Sequence, residues 1–277
     1  MEVSIMKKRN RTAASIFLLA LICISILSGC NGKMTPRKMM IAMSKNLKKV
    51  ESFSNTVKAD IKMEDVVRVT EVSMDMTMEN TLKPKAGHAK GTASVNFRGI
   101  KLSSDMEIYQ VQEGDEYVTY SSMDGNWSRE ASKKEKTSGL SLDSGMFQKM
   151  GEATDSFHIA EETVEVNKKE CYQMYGEVTG AEIMGLLGSE MLHAYGLVEI
   201  PDEEAIMKLA IPITFDIYKE EILPARIIVD MTDVLNDLYD DYGETTDVND
   251  FTVELGFTEY NSVGEIVVPE EVKGLLN

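Results

Sequence analysis

Residues 71–79 read EVSMDMTME, and this short run indicates how the chain folds. Val72, Met74, Met76 and Met78 are apolar, and the residues between them are polar or charged. A period of two residues is typical of a β-strand that buries one face and leaves the other in water. Antiparallel sheets commonly show this alternation, since one of their faces can remain solvated. The run therefore predicts an antiparallel sheet with one apolar face.

The same alternation recurs on both sides of this run, from Phe53 to Phe257. Short polar pairs separate several alternating segments, which is typical of hairpins between antiparallel strands. At Gly99 the apolar residues change from one parity to the other, and we interpret this change as a β-bulge. About nine or ten strands are expected in hairpin order. The pairs that we predict to form turns are Gly114-Asp115, Asp124-Gly125 and Asn167-Lys168.

Apolar residues at spacings of three and four predict helices before and between the strands. The predicted helices start at Thr35-Pro36, cover residues 146–150 and 181–196, and follow Thr232. We therefore predict a single α+β domain over residues 37–277. In this domain a large curved antiparallel β-sheet, or half-barrel, carries helices on its concave side. Residues 30–36 form a short tether in front of it.

An apolar stretch near the N-terminus, LLALICISILSGCNG at residues 18–32, has the layout of a secretory signal. Lysines and arginines precede an uncharged run at residues 13–26. This run is shorter than the roughly 20 residues that a stable membrane-spanning helix needs. We therefore predict that residues 1–29 are a signal peptide that is removed on export.

The end of this signal, Leu27-Ser28-Gly29-Cys30, resembles the lipobox of bacterial lipoproteins. The resemblance implies cleavage just before Cys30 and transfer of a diacylglyceryl group to its thiol. Two acyl chains on one residue suffice for stable anchoring. The expected partner is then the membrane, and the expected location is the extracytoplasmic face of the cell membrane. The alternative is an ordinary secretory signal in which the cysteine occurs by chance.

The formal net charge of −17 argues against a nucleic-acid partner, because binding to phosphates requires a basic surface. The charge is unevenly distributed along the chain. Residues 30–101 carry 14 Lys or Arg and 7 Asp or Glu, whereas residues 170–277 carry 4 and 24. Anionic lipids attract basic segments near a membrane, so the N-terminal side is expected to face the bilayer. The alternative is that folding mixes the two regions.

Residue types that carry catalysis or bind metals are scattered through the sequence. His88, His158 and His193 have no metal-ligand spacing. Cys171 lies in a strand-like run, KKECYQMYGEV, which favours a buried thiol over a nucleophile. The acidic residues from Asp233 to Asp250 do not fit a calcium-binding loop and favour a solvated acidic face. We therefore predict no catalytic residue, no metal site and no cofactor.

The anchor, the amphipathic first helix and the long hairpins together resemble the lipoprotein-carrier fold of LolA-like and LppX-like proteins. Several phrases are similar to those of uncharacterised Gram-positive lipoproteins with this fold. These phrases, which lie between residues 35 and 277, are YVTYSSMDGNWSRE, CYQMYGEV, LPARIIVDMTD and TEYNSVGEIVVPEEV. The resemblance implies a non-enzymatic protein that holds an acyl chain between sheet and helices. None of the phrases is a catalytic motif.

The helix at residues 181–196 is the expected ligand contact. Its apolar stripe contains Ile183, Met184, Leu187 and Met191, and methionine adapts to ligands of varied shape. We therefore expect an anchored lipoprotein that binds a lipid or another hydrophobic ligand without catalysis. The alternative is that these side chains fill an ordinary core. The chain would then be a cell-envelope interaction protein that binds a protein partner, as yet unknown, through its surface.

Overall fold

The computed structural model describes residues 34–66, 68–133, 144–152, 154–187 and 202–275. The chain divides into the units Met1–Thr35 and Pro36–Asn277. The second unit contains every helix and strand that follows. Cys30, with the predicted signal peptide and most of the predicted tether, lies outside the described residues, and so does Met191.

The described strands form one open, antiparallel, 12-stranded sheet, which confirms the predicted curved α+β half-barrel. The strand order is β6-β5-β4-β3-β2-β1-β12-β11-β10-β9-β7, and β8 pairs with β9. The strands are β1 (Ser52–Asp65), β2 (Arg68–Leu82), β3 (Lys85–Phe97), β4 (Ile100–Glu113), β5 (Glu116–Met123), β6 (Asn126–Ser132), β7 (His158–Ile159), β8 (Val164–Val166), β9 (Lys169–Thr179), β10 (Ala210–Tyr218), β11 (Pro224–Asp230) and β12 (Asp247–Tyr260).

Tight turns join the strands from β1 to β6 into a meander. The predicted turns at residues 114–115, 124–125 and 167–168 are confirmed. The predicted bulge at Gly99 is wrong. Arg98 and Gly99 have φ angles of 52° and 79° and form the turn between β3 and β4. The apolar parity changes there because the chain reverses its direction, so that inward positions change register.

Six helices are found among the described residues. They are α1 (Pro36–Leu47), α2 (Ser144–Met150), α3 (Gly180–Leu187), α4 (Glu203–Ile206), α5 (Thr232–Asp241) and α6 (Glu270–Gly274). Helix α1 packs on α2, where the Ser44 hydroxyl donates a hydrogen bond to the Ser144 carbonyl at 2.8 Å. Helix α2 in turn contacts the sheet, because the rings of Phe147 and Phe215 meet edge to face with centroids 6.0 Å apart.

The face of the sheet that carries Phe215 is called the inner face here. Strand register places Val57, Leu255 and Ile227 on the same face, and all of them are buried. Gly91 occupies an inner-face position of β3. An added Cβ there would lie 2.0 Å from the Asp75 carbonyl oxygen of β2. Only glycine permits this close approach between β3 and β2.

The opposite, outer face is covered near the β6 edge of the sheet. After β12 the chain continues as the C-terminal strap, defined as residues 261–275 and including α6. Val268 and Val272 of the strap form a buried cluster with Tyr109, Val118 and Tyr120 of β4 and β5. The strap thus adds an apolar layer on the face opposite Phe215.

Candidate ligand-binding face

The inner face of β3 is lined by small residues. Gly87, Ala89, Gly91 and Ala93 occupy four successive inward positions. In register they lie between the methionines of β2 and the longer side chains of β4, with Ala89 opposite Ile108 and Gly91 opposite Met106. Small side chains between two rows of larger ones make a low strip along β3, although Met76 covers Gly91, with its sulfur 2.8 Å from the position of an added Cβ. We call these four residues, with Met106 and Ile108, the inner trough.

Accessibility differs between the two sides of the inner trough. On the β2 side, Met74 and Met76 are buried. On the β4 side, Met106 and Ile108 are only half-buried, and Met123 of β5 is 55 % exposed. Apolar surface that remains in contact with water is available to a ligand, whereas the filled core from β9 to β2 is not.

A buried amide lies on the inner face of β1, two strands away from β3. Asn55 of β1 is 2 % exposed and lies opposite Met78 of β2. Its carbonyl oxygen accepts a hydrogen bond from the Asn80 amide at 3.0 Å, but its own Nδ2 has no hydrogen-bond partner. An unpaired buried donor costs free energy and can bind an acceptor oxygen. Asn55 could not be recognised in the sequence, since a single polar residue within an alternating strand carries no distinct signal.

The residues predicted to contact a ligand lie elsewhere. Helix α3 packs on β9 and β10. Ile183 and Leu187 are buried there, and Met184 is half-buried. Thr179 and Glu182 cap the helix, because the Thr179 amide donates to Glu182 Oε2 at 2.7 Å and the Glu182 amide donates to Thr179 Oγ1 at 3.3 Å. The ligand-binding role of these side chains stays a prediction.

Polar side chains form a hydrogen-bonded group under the C-terminal strap on the outer face. The Tyr109 hydroxyl donates to Glu107 Oε1 at 3.0 Å, and His88 Nε2 lies 3.0 Å from the same oxygen. The His88 ring stacks on Tyr109 with centroids 4.2 Å apart. Burial, followed by the hydrogen bond to Glu107, raises the pKa of Tyr109 to about 12.

The same contacts lower the pKa of the Glu107 carboxyl. Burial alone would raise the pKa of this carboxyl, but hydrogen bonds from His88 and Tyr109 and the charge of Lys90 outweigh it and lower the pKa. Tyr109 therefore stays a hydrogen-bond donor and Glu107 stays an acceptor at neutral pH. The group is suited to holding β3, β4 and the strap together.

Cys171 is buried in a second outer-face cluster with Val166, Tyr218 and Ala225. Burial is the main cause that raises the pKa of its thiol. A protonated, inaccessible thiol is a poor nucleophile, in agreement with the structural role expected from the strand-like run.

Candidate metal ligands do not cluster in the part of the chain that the structure describes. No three His, Cys, Asp or Glu side chains are placed there to hold a metal ion. His88 lies on β3 and His158 on β7, and His193 is outside the described residues. Within the same ranges, no helix has the length and apolar character needed to cross a membrane.

Comparison with known proteins gives one family match. The profile described as "Family of unknown function (DUF6612)" matches residues 35–275. No curated protein matches the sequence.

Among solved structures, the lipoprotein LppX from Mycobacterium tuberculosis is similar at 12 % identity, with a TM-score of 0.44, over 84 % of this chain and 98 % of LppX. LprF from Mycobacterium bovis is similar at 14 % identity, with a TM-score of 0.47, over 84 % of this chain and 96 % of LprF. Both are mycobacterial proteins of the group that the sequence resembles, and at these scores the similarity carries no conclusion about ligand or activity.

Proposed function

The chain belongs to DUF6612, a family of unknown function, and from its own geometry we propose that it is a lipid-anchored extracytoplasmic lipoprotein that binds a hydrophobic ligand. The ligand class is a lipid or another molecule with an extended apolar part, and binding involves no catalysis. The signal-like N-terminus supports the anchoring part of the proposal. The inner trough supports the binding part.

One observation supports the binding part most directly. Side chains on the inner face are buried from β9 to β2, whereas apolar side chains on β4 remain partly exposed to water. Half-buried apolar side chains at Met106 and Ile108 flank a row of glycine and alanine on β3. A flexible acyl chain can lie along this row. Its burial would stabilise the complex by about 25 cal/mol for each Å² of apolar surface removed from water.

Filling the inner trough tests the binding part. We expect Ala93→Phe to weaken binding of a fluorescent fatty acid at least about tenfold, because the new ring occupies the space between β2 and β4. The matched control is Thr92→Phe on the exposed outer face of the same strand, which should bind like the wild type. Fluorescence titration gives both affinities, and thermal unfolding verifies that both variants fold.

Equal affinity of the wild type and the folded Ala93→Phe variant would contradict the inner trough as the site. If the wild type binds no fatty acid and no lipid accompanies protein purified from its host, the alternative is favoured. In that case the chain is a cell-envelope interaction protein that binds a partner through its surface.

Removal of one thiol tests the anchoring part. We expect Cys30→Ser to move the protein from the membrane fraction to the soluble fraction of its host, because no acyl chain can then be attached. Cys23→Ser, within the apolar run of the signal, should leave the protein in the membrane fraction. Mass spectrometry of the wild type should find diacylglyceryl on an N-terminal Cys30. A mature N-terminus at any other residue would contradict the anchor.

A further inference from the structure

Exposed apolar side chains concentrate at one end of the sheet. Hairpin turns alternate between the two ends, so the β1–β2, β3–β4 and β5–β6 turns lie at the same end. At the β3–β4 turn, Ile100 and Leu102 are each 66 % exposed and Phe97 is 41 % exposed. Val66 and Met123, at the neighbouring turns, are also exposed. Phe97, Ile100 and Leu102 are exposed together on one hairpin, and a cluster of exposed apolar side chains is typical of an interaction site.

The charge around the β3–β4 turn has the opposite sign to that of the chain. Residues 92–104, which are the turn and the parts of β3 and β4 next to it, contain Arg98 and Lys101 and no Asp or Glu, although the formal net charge of the chain is −17. Arg98 and Lys101 lie within the exposed apolar group itself. The β1–β2 turn is different, because Glu64 and Asp65 precede Val66. The basic, apolar surface is therefore centred on the β3–β4 turn.

The turn holds these side chains in a defined arrangement. Phe97 and Ile100 pair across the two-residue turn, and Val95 and Leu102 form the next pair on the same face. The guanidinium of Arg98 lies 5.2 Å from the centre of the Phe97 ring. The apolar side chains thus project from a regular hairpin together with two cations, and little ordering is needed when they meet a partner.

We propose that this surface, defined as residues 95–102 and called the docking turn, inserts into the interface of an anionic lipid bilayer. Side chains of Phe97, Ile100 and Leu102 enter the boundary between headgroups and acyl chains, and Arg98 and Lys101 contact the lipid phosphates. Anionic lipid matches both features, because its acyl region accepts the apolar side chains and its phosphates attract the two cations. The docking turn is independent of Cys30 and of ligand binding in the inner trough.

Tryptophan fluorescence in the full chain tests this contact directly. The chain has a single tryptophan, Trp127, so Trp127→Tyr provides a background without tryptophan. Ile100→Trp then reports on the docking turn, and Asp115→Trp reports on the β4–β5 turn at the opposite end of the sheet. Each protein is reconstituted into vesicles of phosphatidylcholine, with or without phosphatidylglycerol, that carry brominated acyl chains. Bromine quenches only a tryptophan that enters the bilayer.

We expect residue 100 to show quenching and a shift of emission to shorter wavelength in the anionic vesicles, and residue 115 to show neither. In the Ile100→Trp protein, Arg98→Asn with Lys101→Gln should reduce the quenching to its level in neutral vesicles. Asparagine tolerates the positive φ of residue 98. The matched control, Lys58→Gln with Lys133→Gln, removes the same charge from exposed sites elsewhere and should leave the quenching unchanged.

Three results would overturn the docking proposal. The first is water-like emission from residue 100 in both kinds of vesicle. The second is equal quenching by a monomeric brominated fatty acid without vesicles, which would indicate a ligand on the sheet face and would leave the proposed function intact. The third is an emission shift that depends on protein concentration without lipid, which would indicate association between copies of the chain.

Discussion

At the scale of single residues, Asp216 of β10 shows how the sheet accommodates a fully buried carboxylate. The Gln173 amide of β9 donates to Asp216 Oδ1 at 3.0 Å, and Arg226 Nε of β11 donates to Asp216 Oδ2 at 2.7 Å. Arg226 also lies 3.7 Å from Glu254 of β12. A polar ladder therefore crosses four neighbouring strands and satisfies both oxygens of the carboxylate.

Loss of Arg226 tests the importance of this pairing. We expect Arg226→Met to lower the free energy of unfolding by about 3–5 kcal/mol, because a buried carboxylate then lacks its counterion. Arg129→Met is the matched control, since Arg129 pairs with Glu113 at 3.2 Å on the exposed surface. That change should cost no more than about 1 kcal/mol. Urea denaturation measures both, and equal costs would contradict the buried role of Asp216.

Single residues also show what a sequence reveals about turns. Asp124-Gly125 was predicted correctly because a turn with positive φ at both positions favours this pair. Arg98-Gly99 forms a turn with the same signs of φ, but arginine is an uncommon residue there. The change of parity was therefore interpreted as a bulge, since a bulge and a tight turn both shift inward positions by one residue.

At the scale of elements, the C-terminal strap is the least regular covering of the sheet. Residues 262–269 have no helix or strand, and Val268 is nevertheless 2 % exposed. Val268 belongs to the cluster of Tyr109 and Tyr120, against which Trp127 also packs. Adjacent Val267 is 61 % exposed. Alternate side chains of the strap therefore have opposite environments.

This pair of valines gives a matched test of the strap. We expect Val268→Ala to destabilise the protein by about 2 kcal/mol, because two buried methyl groups are lost from a packed cluster. Val267→Ala should have no measurable effect. Trp127 fluorescence follows unfolding without an added probe, since it is the single tryptophan of the chain. An equal effect of both substitutions would show that the strap does not pack on β4 and β5 in solution.

Elements with a clear period could be predicted, and the strap could not. The strands were recognisable from alternation over many residues, and the helix around Met39 and Met43 from its apolar stripe. In the strap, the apolar run Ile266-Val267-Val268 is too short to show a period. It covers the outer face of β4 and β5, where Tyr109, Val118 and Tyr120 gave no reason to expect a partner from the C-terminus.

At the scale of the whole molecule, the close approach of β3 to β2 at Gly91 is a point where the 12-stranded sheet tolerates no side chain. We expect Gly91→Ala to lower the free energy of unfolding by about 3 kcal/mol, because the new methyl group must push β3 away from the backbone of β2. Gly264→Ala is the control, since an added Cβ there has no heavy atom within 4 Å. Chemical denaturation compares the two. A stable Gly91→Ala variant would indicate that β3 lies further from β2 at this point than the structure shows.

The fold class could be predicted for the whole molecule, but the order of the strands could not. The alternation of apolar and polar residues indicates which residues face inward, and short turns indicate which consecutive strands pair. Neither indicates that β1 pairs with β12, as in the pair Val57 and Leu255, because distant segments leave no local trace in one sequence. The inner trough was missed for the same reason. Small residues on β3 become a low strip only when β2 and β4 are placed beside them.

The pairing of β1 with β12 also determines when the protein can fold. The strands β1 to β6 are joined by local turns and can associate early, but the register of Phe53 with Tyr260 requires a loop that spans most of the chain. Until β12 has been synthesised, the nascent sheet ends in an unpaired strand edge at β1. Such edges recruit other chains, so this incomplete meander is the species most vulnerable to aggregation.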